Sequence, residues 1–190
     1  MDSIQKLWNF FETDLGEAPI SLDWSACGRW LAVINVDSTV MIIDTTDNKF
    51  KSWKAHDDGA LALTWHPKLS LFATSCQGGM VKLWEVEDDY TINEVSAIEI
   101  TPNSGSSWIE LLKWSPDGKH LSIGNGNSVT LRTIMGEIST SFSFPNGTVA
   151  AIDWHPKGSL LAIAGYGGVL IYDVLKPKEK PIVLERKGSL

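Results

Sequence analysis

Apolar and polar positions alternate in short stretches along the chain, as in Ile20, Leu22, Trp24 and again in Leu61, Leu63, Trp65. A period of two sends successive side chains to opposite faces of an extended backbone, so these stretches predict strands with one buried face. Denser runs such as Thr39-Val40-Met41-Ile42-Ile43-Asp44 and Gly168-Val169-Leu170-Ile171-Tyr172-Asp173 are β-branched and apolar, as strands buried on both faces are. No apolar stripe at helical spacing occurs. The pattern predicts an all-β protein.

The pattern also repeats. Four tryptophans share one local context, Leu22-Asp23-Trp24, Leu63-Thr64-Trp65, Leu112-Lys113-Trp114 and Ile152-Asp153-Trp154, at spacings of 41, 49 and 40 residues. Each is followed by a turn: Ser25-Ala26-Cys27-Gly28-Arg29, His66-Pro67-Lys68-Leu69-Ser70, Ser115-Pro116-Asp117-Gly118-Lys119 and His155-Pro156-Lys157-Gly158-Ser159. Proline presets φ and glycine supplies positive φ, so each turn joins two strands of a hairpin. A buried third strand and a variable fourth complete each unit, the fourth being Phe50–Trp53, Val95–Ile98, Ile138–Phe142 and Pro181–Leu184. Four antiparallel strands in a repeat of this length make the blade of a β-propeller.

On these residues the chain resembles the WD-repeat β-propeller family over nearly its whole length. The second repeat carries the likeness best, with Ala55-His56 where the family has Gly-His and Leu83-Trp84-Glu85 near its Trp-Asp. Elsewhere the Trp-Asp pair becomes Ile43-Asp44, Arg132-Thr133 and Tyr172-Asp173, and Gly78 stands where a turn aspartate is expected. The resemblance implies that His56 sits beneath its blade, hydrogen-bonded to Ser75 and oriented near Trp84. The expected organisation is a lead-in and outer strand over 1–17, blades over 18–56, 57–101, 102–145 and 146–187, and the start of a further blade over 188–190. Leu7-Trp8-Asn9-Phe10-Phe11 reads as an outer strand, which makes one strand too many for a closed four-bladed ring. The four blades are therefore expected to be the first part of a longer propeller, about seven blades by resemblance, or else to self-associate.

Composition narrows the chemistry. With 16 Lys+Arg against 23 Asp+Glu the net charge is −7, the wrong sign for phosphate-backbone binding, and no nucleic-acid partner is expected. No apolar run approaches a membrane span and no signal peptide opens the chain, so a cytoplasmic location and no membrane partner are expected. Cys27 and Cys76 are too few for a disulfide framework, and both thiols are expected to be reduced. His56, His66, His120 and His155 fall in different repeats without metal-ligand spacing, His66 and His155 in His-Pro turns on the rim. Gly124-Asn125-Gly126-Asn127 lacks the strand-to-helix setting of a dinucleotide loop, and Asn146-Gly147-Thr148 reads as a turn rather than a glycosylation site. Lys176-Pro177-Lys178-Glu179-Lys180 reads as a solvated loop.

What remains is a non-catalytic module, without metal or cofactor, that binds a protein or peptide through loops. By resemblance the contacts fall at Asp14, Glu17, His56, Asp57, Asp58, Ser107 and Trp108, with Asp37, Gln77, Asn125 and Tyr166 on the other loops of the same face. Trp108 and Tyr166 are the expected hot spots, since buried aromatics dominate interfaces. His56-Asp57-Asp58 is the one cluster with acid/base potential. The rival readings are a piece of a larger propeller without activity of its own, an RNA- or translation-associated factor, and a propeller enzyme.

Overall fold

The computed structural model describes residues 15–101, 107–145 and 147–185. The expected strand at Leu7–Phe11, Asp14, Asn146 and the expected blade start at 188–190 lie outside the described residues.

Among the described residues, sixteen strands form four separate antiparallel sheets of four. The first holds β1 (Pro19–Trp24), β2 (Trp30–Asn35), β3 (Thr39–Asp44) and β4 (Lys49–Lys54). The second holds β5 (Ala60–Trp65), β6 (Leu71–Cys76), β7 (Met80–Val86) and β8 (Ile92–Glu99). The third holds β9 (Leu111–Trp114), β10 (Leu121–Asn125), β11 (Ser128–Arg132) and β12 (Ile138–Ser143), and the fourth β13 (Val149–Trp154), β14 (Leu160–Gly165), β15 (Gly168–Asp173) and β16 (Ile182–Glu185). Each sheet is a plain meander, so each strand pairs with its sequence neighbours. The first strands β1, β5, β9 and β13 lie side by side in chain order.

The turn after each first strand closes in one way: the amides of Ser25, His66, Ser115 and His155 donate to the carbonyls of Trp30, Leu71, His120 and Leu160 at 2.7–2.9 Å. The side chain at that first turn position then caps the turn. Ser25 Oγ accepts the Trp30 amide at 2.9 Å and Ser115 Oγ the His120 amide at 3.0 Å, while His155 Nδ1 accepts the Lys157 amide at 3.1 Å. This is local chemistry, which is why the turns are legible from Ser-x and His-Pro runs.

The cores lie between sheets rather than within them. One cluster joins Trp30, Ile34 and Ile42 of the first sheet to Trp65, Phe72 and Trp84 of the second. A second joins Leu71 and Leu83 to Trp114, Leu121 and Ile123, and a third joins Val129, Leu131 and Phe142 to Trp154, Leu161 and Ile163. Strand alternation makes this possible, because each sheet offers one face to the sheet before it and the other to the sheet after. Among the described residues, four sheets thus enclose three cores, and the ring is not closed. The cost is visible at the repeat tryptophans: Trp65, Trp114 and Trp154 are 4%, 5% and 6% exposed, whereas Trp24, on a face that no described sheet covers, is 49% exposed. Leu22 on the same strand and Phe50 on β4 are also exposed, as are Ile182 and Leu184 on the far face of the fourth sheet.

His66 departs from the sequence expectation of an exposed rim position. Its Nδ1 accepts the amides of Lys68 and Leu69 at 3.1 and 3.0 Å, so Nε2 carries the proton and donates to the carbonyl of Gly118, 2.9 Å away in the next sheet. The ring stands edge-on to Trp114, with centroids 4.8 Å apart, and is buried. His-Pro marks a turn, but the sequence carries no sign that the neighbouring sheet covers it. His155 caps the equivalent turn of the fourth sheet and is exposed.

Candidate interaction site on the loop face

Antiparallel meanders sort the connections into two sets. The β2–β3, β6–β7, β10–β11 and β14–β15 turns and the links between sheets lie at one end of the strands; the other turns lie at the opposite end. Glu17, Asp37, His56, Asp57, Asp58, Gln77, Ser107, Trp108, Asn125 and Tyr166 all belong to the first set.

Within that set the second sheet is the meeting point. The Gln77 amide donates to the Gly59 carbonyl at 2.8 Å, and the Gln77 side chain lies over Gly59. Asp58 leans over Gly78 so closely that a Cβ added there would come within 2.1 Å of Oδ2. The glycine that replaces an expected aspartate therefore leaves room for a carboxylate supplied by the preceding loop. Ser38 Oγ donates to the Asp58 carbonyl at 2.5 Å, which ties that loop back to the first sheet. On the other side, Ser107 Oγ donates to the Gln77 carbonyl at 2.5 Å and Ser75 Oγ to the Ile109 carbonyl at 2.7 Å. Asn125 Nδ2 then donates to the Trp108 carbonyl at 3.0 Å. Asp58, Gln77, Ser107, Trp108 and Asn125 are thus linked through backbone groups in a continuous strip across three sheets.

The members differ in what they present to solvent. Asp57 and Asp58 are exposed, Trp108 is 49% exposed and Tyr166 78%. Asp37 is exposed but spends its carboxylate on its own turn, taking the Thr39 amide at 3.0 Å and the Thr39 hydroxyl at 2.7 Å, and these bonds hold its carboxyl below the usual range. Asn125 is buried. Tyr166 sits in the β14–β15 turn of the fourth sheet, where no hydrogen bond joins it to the strip.

His56 is 4% exposed and belongs to the interior. Its Nε2 lies 2.8 Å from Thr74 Oγ1, and the same oxygen accepts the Trp84 indole N–H at 2.8 Å. The expected partner Ser75 is displaced by one residue: its side chain points to the other face of β6 and bonds Ile109 instead. Burial pushes the His56 imidazole down to about 4, with Lys82 adding to the effect, so the ring is neutral at pH 7. A neutral imidazole can accept the Thr74 hydroxyl proton while Thr74 accepts from Trp84, so the three groups are satisfied together.

The first sheet carries a buried polar network where β3 turns into β4. Asp44, the aspartate of the Ile43-Asp44 pair, is fully buried and takes Arg29 Nε at 2.8 Å and Nη2 at 2.7 Å, with the Thr46 amide and hydroxyl at 2.8 and 2.6 Å. Burial would raise its carboxyl, but these bonds outweigh it and hold the group ionised far below neutrality.

The residues matching the family model for the WD domain, G-beta repeat, are 48–85, which span β4 through β7 and contain the His56, Thr74 and Trp84 network. The four-sheet arrangement superposes with a TM-score of 0.70 on the β-propeller domain of Cps50 (Swd1) from Myceliophteria thermophila, covering 87% of this chain and 57% of that one at 17% identity. The chain is similar to the WD-repeat propellers, one repeat of which its residues 48–85 match. Among relatives, the chain is 28% identical over 105 residues to Protein hir1 of Schizosaccharomyces pombe, covering 55% of this chain and 11% of the relative. It is 27% identical over 150 residues to the human WD repeat and HMG-box DNA-binding protein 1, covering 76% of this chain and 13% of the relative. The chain therefore spans 11–14% of the length of the curated relatives it matches.

Among the described residues, no group of three His, Cys, Asp or Glu is placed to hold a metal ion, and no helix is long and apolar enough to cross a membrane. Both cysteines are free, Cys27 exposed and Cys76 buried. Lys176 pairs with Glu179 at 3.4 Å in an exposed turn.

Proposed function

We propose that this WD-repeat propeller is a non-catalytic scaffold that binds a protein or peptide segment through the loop strip from Asp57 and Asp58 to Trp108. The observation that carries this reading is the mounting of Trp108: its carbonyl is held by Asn125 and its neighbour Ser107 by Gln77, yet half its side chain faces solvent. An aromatic presented on a fixed backbone loses little conformational freedom on binding, which is what an interface anchor requires. The exposed carboxylates of Asp57 and Asp58 in the same strip favour a partner with basic groups. A protein partner suits the net charge of −7 better than nucleic acid does, whatever other parts of the longer relatives bind.

A second reading rests on the open faces. Trp24 is exposed where its three counterparts are buried, which supports the four blades being part of a larger ring whose further blades cover the first and fourth sheets. The two readings are compatible, since loops stay exposed when a ring closes.

A photo-crosslinking residue placed at Trp108 in cells, with another at exposed Lys157 at the opposite end of the blades, tests the binding reading. Partner adducts from position 108 and none from 157 support it; equal adducts from both, or none from 108, refute it.

A further inference from the structure

The candidate loops all lie at one end of the blades. At the opposite end, where the β5–β6 and β7–β8 turns meet the β11–β12 turn of the next sheet, the surface opens into a groove of about 770 Å³. Its floor is apolar: Leu71 and Val86 are buried, and Ile134 packs against the core between the second and third sheets. Its walls are apolar as well but face solvent, with Leu69 and Val95 about half exposed and Met135 79% exposed. Apolar side chains grouped around a concavity, rather than scattered singly, mark a surface that gains by being covered.

The rim carries four carboxylates, Glu85, Glu87, Asp88 and Asp89. Asp88 meets Arg29 at 3.3 Å, Glu87 accepts the Asn93 amide group at 2.7 Å, and Asp89 accepts the Thr91 amide at 2.9 Å. No lysine or arginine is among the lining residues. An apolar trough with an acidic lip selects against apolar segments flanked by carboxylates and in favour of those flanked by cations.

We propose that this groove between the second and third sheets docks a short peptide segment whose apolar anchors are flanked by Lys or Arg. The anchors fill the trough against Leu71, Val86 and Ile134. Met135 adapts to their shape, because an unbranched thioether repacks easily. The flanking cations meet Glu85 and Glu87 and set the direction of approach. This surface is separate from the loop strip, so one partner can occupy each.

The probe is a short fluorescein-labelled peptide with two leucines between clusters of lysine and arginine, read by anisotropy against the full chain. Companion peptides carry serine for leucine or glutamate for the basic residues. Wild-type protein is expected to bind the first peptide in the micromolar range and the companions at least about tenfold more weakly. The Glu85→Lys/Glu87→Lys double variant and the Met135→Ser variant should each weaken binding about tenfold, and Glu179→Lys/Glu185→Lys on the fourth sheet should leave it unchanged. All these positions are exposed, and thermal melting of each variant at the wild-type temperature shows that folding is intact. Absence of binding to wild type, equal loss in the two charge-reversal variants, or wild-type affinity in both groove variants overturns the proposal. The first result leaves the loop-strip reading untouched, since that rests on the other end of the molecule.

Discussion

The indole N–H of Trp154 donates to Ser122 Oγ at 3.1 Å, across the boundary between the third and fourth sheets. Among the described residues, Trp154 is the one repeat tryptophan that makes this bond. Ser122 faces Lys113 in the register of β9 and β10; the equivalent residues are Ala32, facing Asp23, and Ala73, facing Thr64. Correspondingly, Nε1 of Trp65 and Nε1 of Trp114 are buried with no hydrogen-bond partner.

The prediction is reciprocal. Ser122→Ala orphans the Trp154 N–H and should cost about 1–2 kcal/mol, while Ala73→Ser offers Trp114 an acceptor and should gain about 1 kcal/mol. Urea denaturation midpoints check both; a neutral Ser122→Ala would refute the cross-sheet bond as a stabilising contact.

His56 sets an acid limit. Its folded value of about 4 lies below the ordinary 6.5, so the unfolded chain binds the extra proton first as pH falls. Stability should be complete above about pH 6.5 and decline as pH drops toward 4, by at most about 3 kcal/mol. His56→Gln should flatten this part of the stability profile measured by urea titration between pH 7 and 4. An unchanged slope would assign the acid sensitivity to other groups, His66 first, since burial lowers it too.

Two glycines with crowded sites should behave oppositely. A Cβ at Gly165 meets the Phe144 ring at 2.4 Å and the Thr148 carbonyl at 2.8 Å, neither of which can yield cheaply. Gly165→Ala should therefore cost about 1–3 kcal/mol. At Gly78 the obstacle is the carboxylate end of Asp58, which can swing into solvent, so Gly78→Ala should change stability by less than about 0.5 kcal/mol. Thermal melts of the pair decide it.

The open faces make the chain sticky. Concentration-dependent self-association is expected by sedimentation velocity, and Trp24→Glu with Leu22→Glu should reduce it without unfolding the sheets, because both side chains already face solvent. Self-association that survives the double substitution would assign it to another surface.

The candidate site was legible only in part. Asp57, Asp58, Trp108 and Tyr166 stand on exposed loops as their turn contexts suggest, because loop position follows from counting strands. That Asp58 fills the space over Gly78, and that Ser38 and Ser107 tether the strip, depends on contacts between residues 20 and 30 positions apart. The acidic groove has no sequence signal at all: Leu69, Val95 and Met135 come from three different turns or strands.

By itself the sequence determined the strands, their turns and the number of sheets, because period-two alternation, proline and glycine act over a few residues and recur at each repeat. It determined the all-β propeller class for the same reason. Only the tertiary structure decided which face of each strand is covered. That choice gave His56 to Thr74 rather than Ser75, buried His66 under Gly118, and left Trp24 open while burying Trp65, Trp114 and Trp154. Alternation in a strand's own sequence says which face can be buried, and the neighbouring sheet decides whether it is.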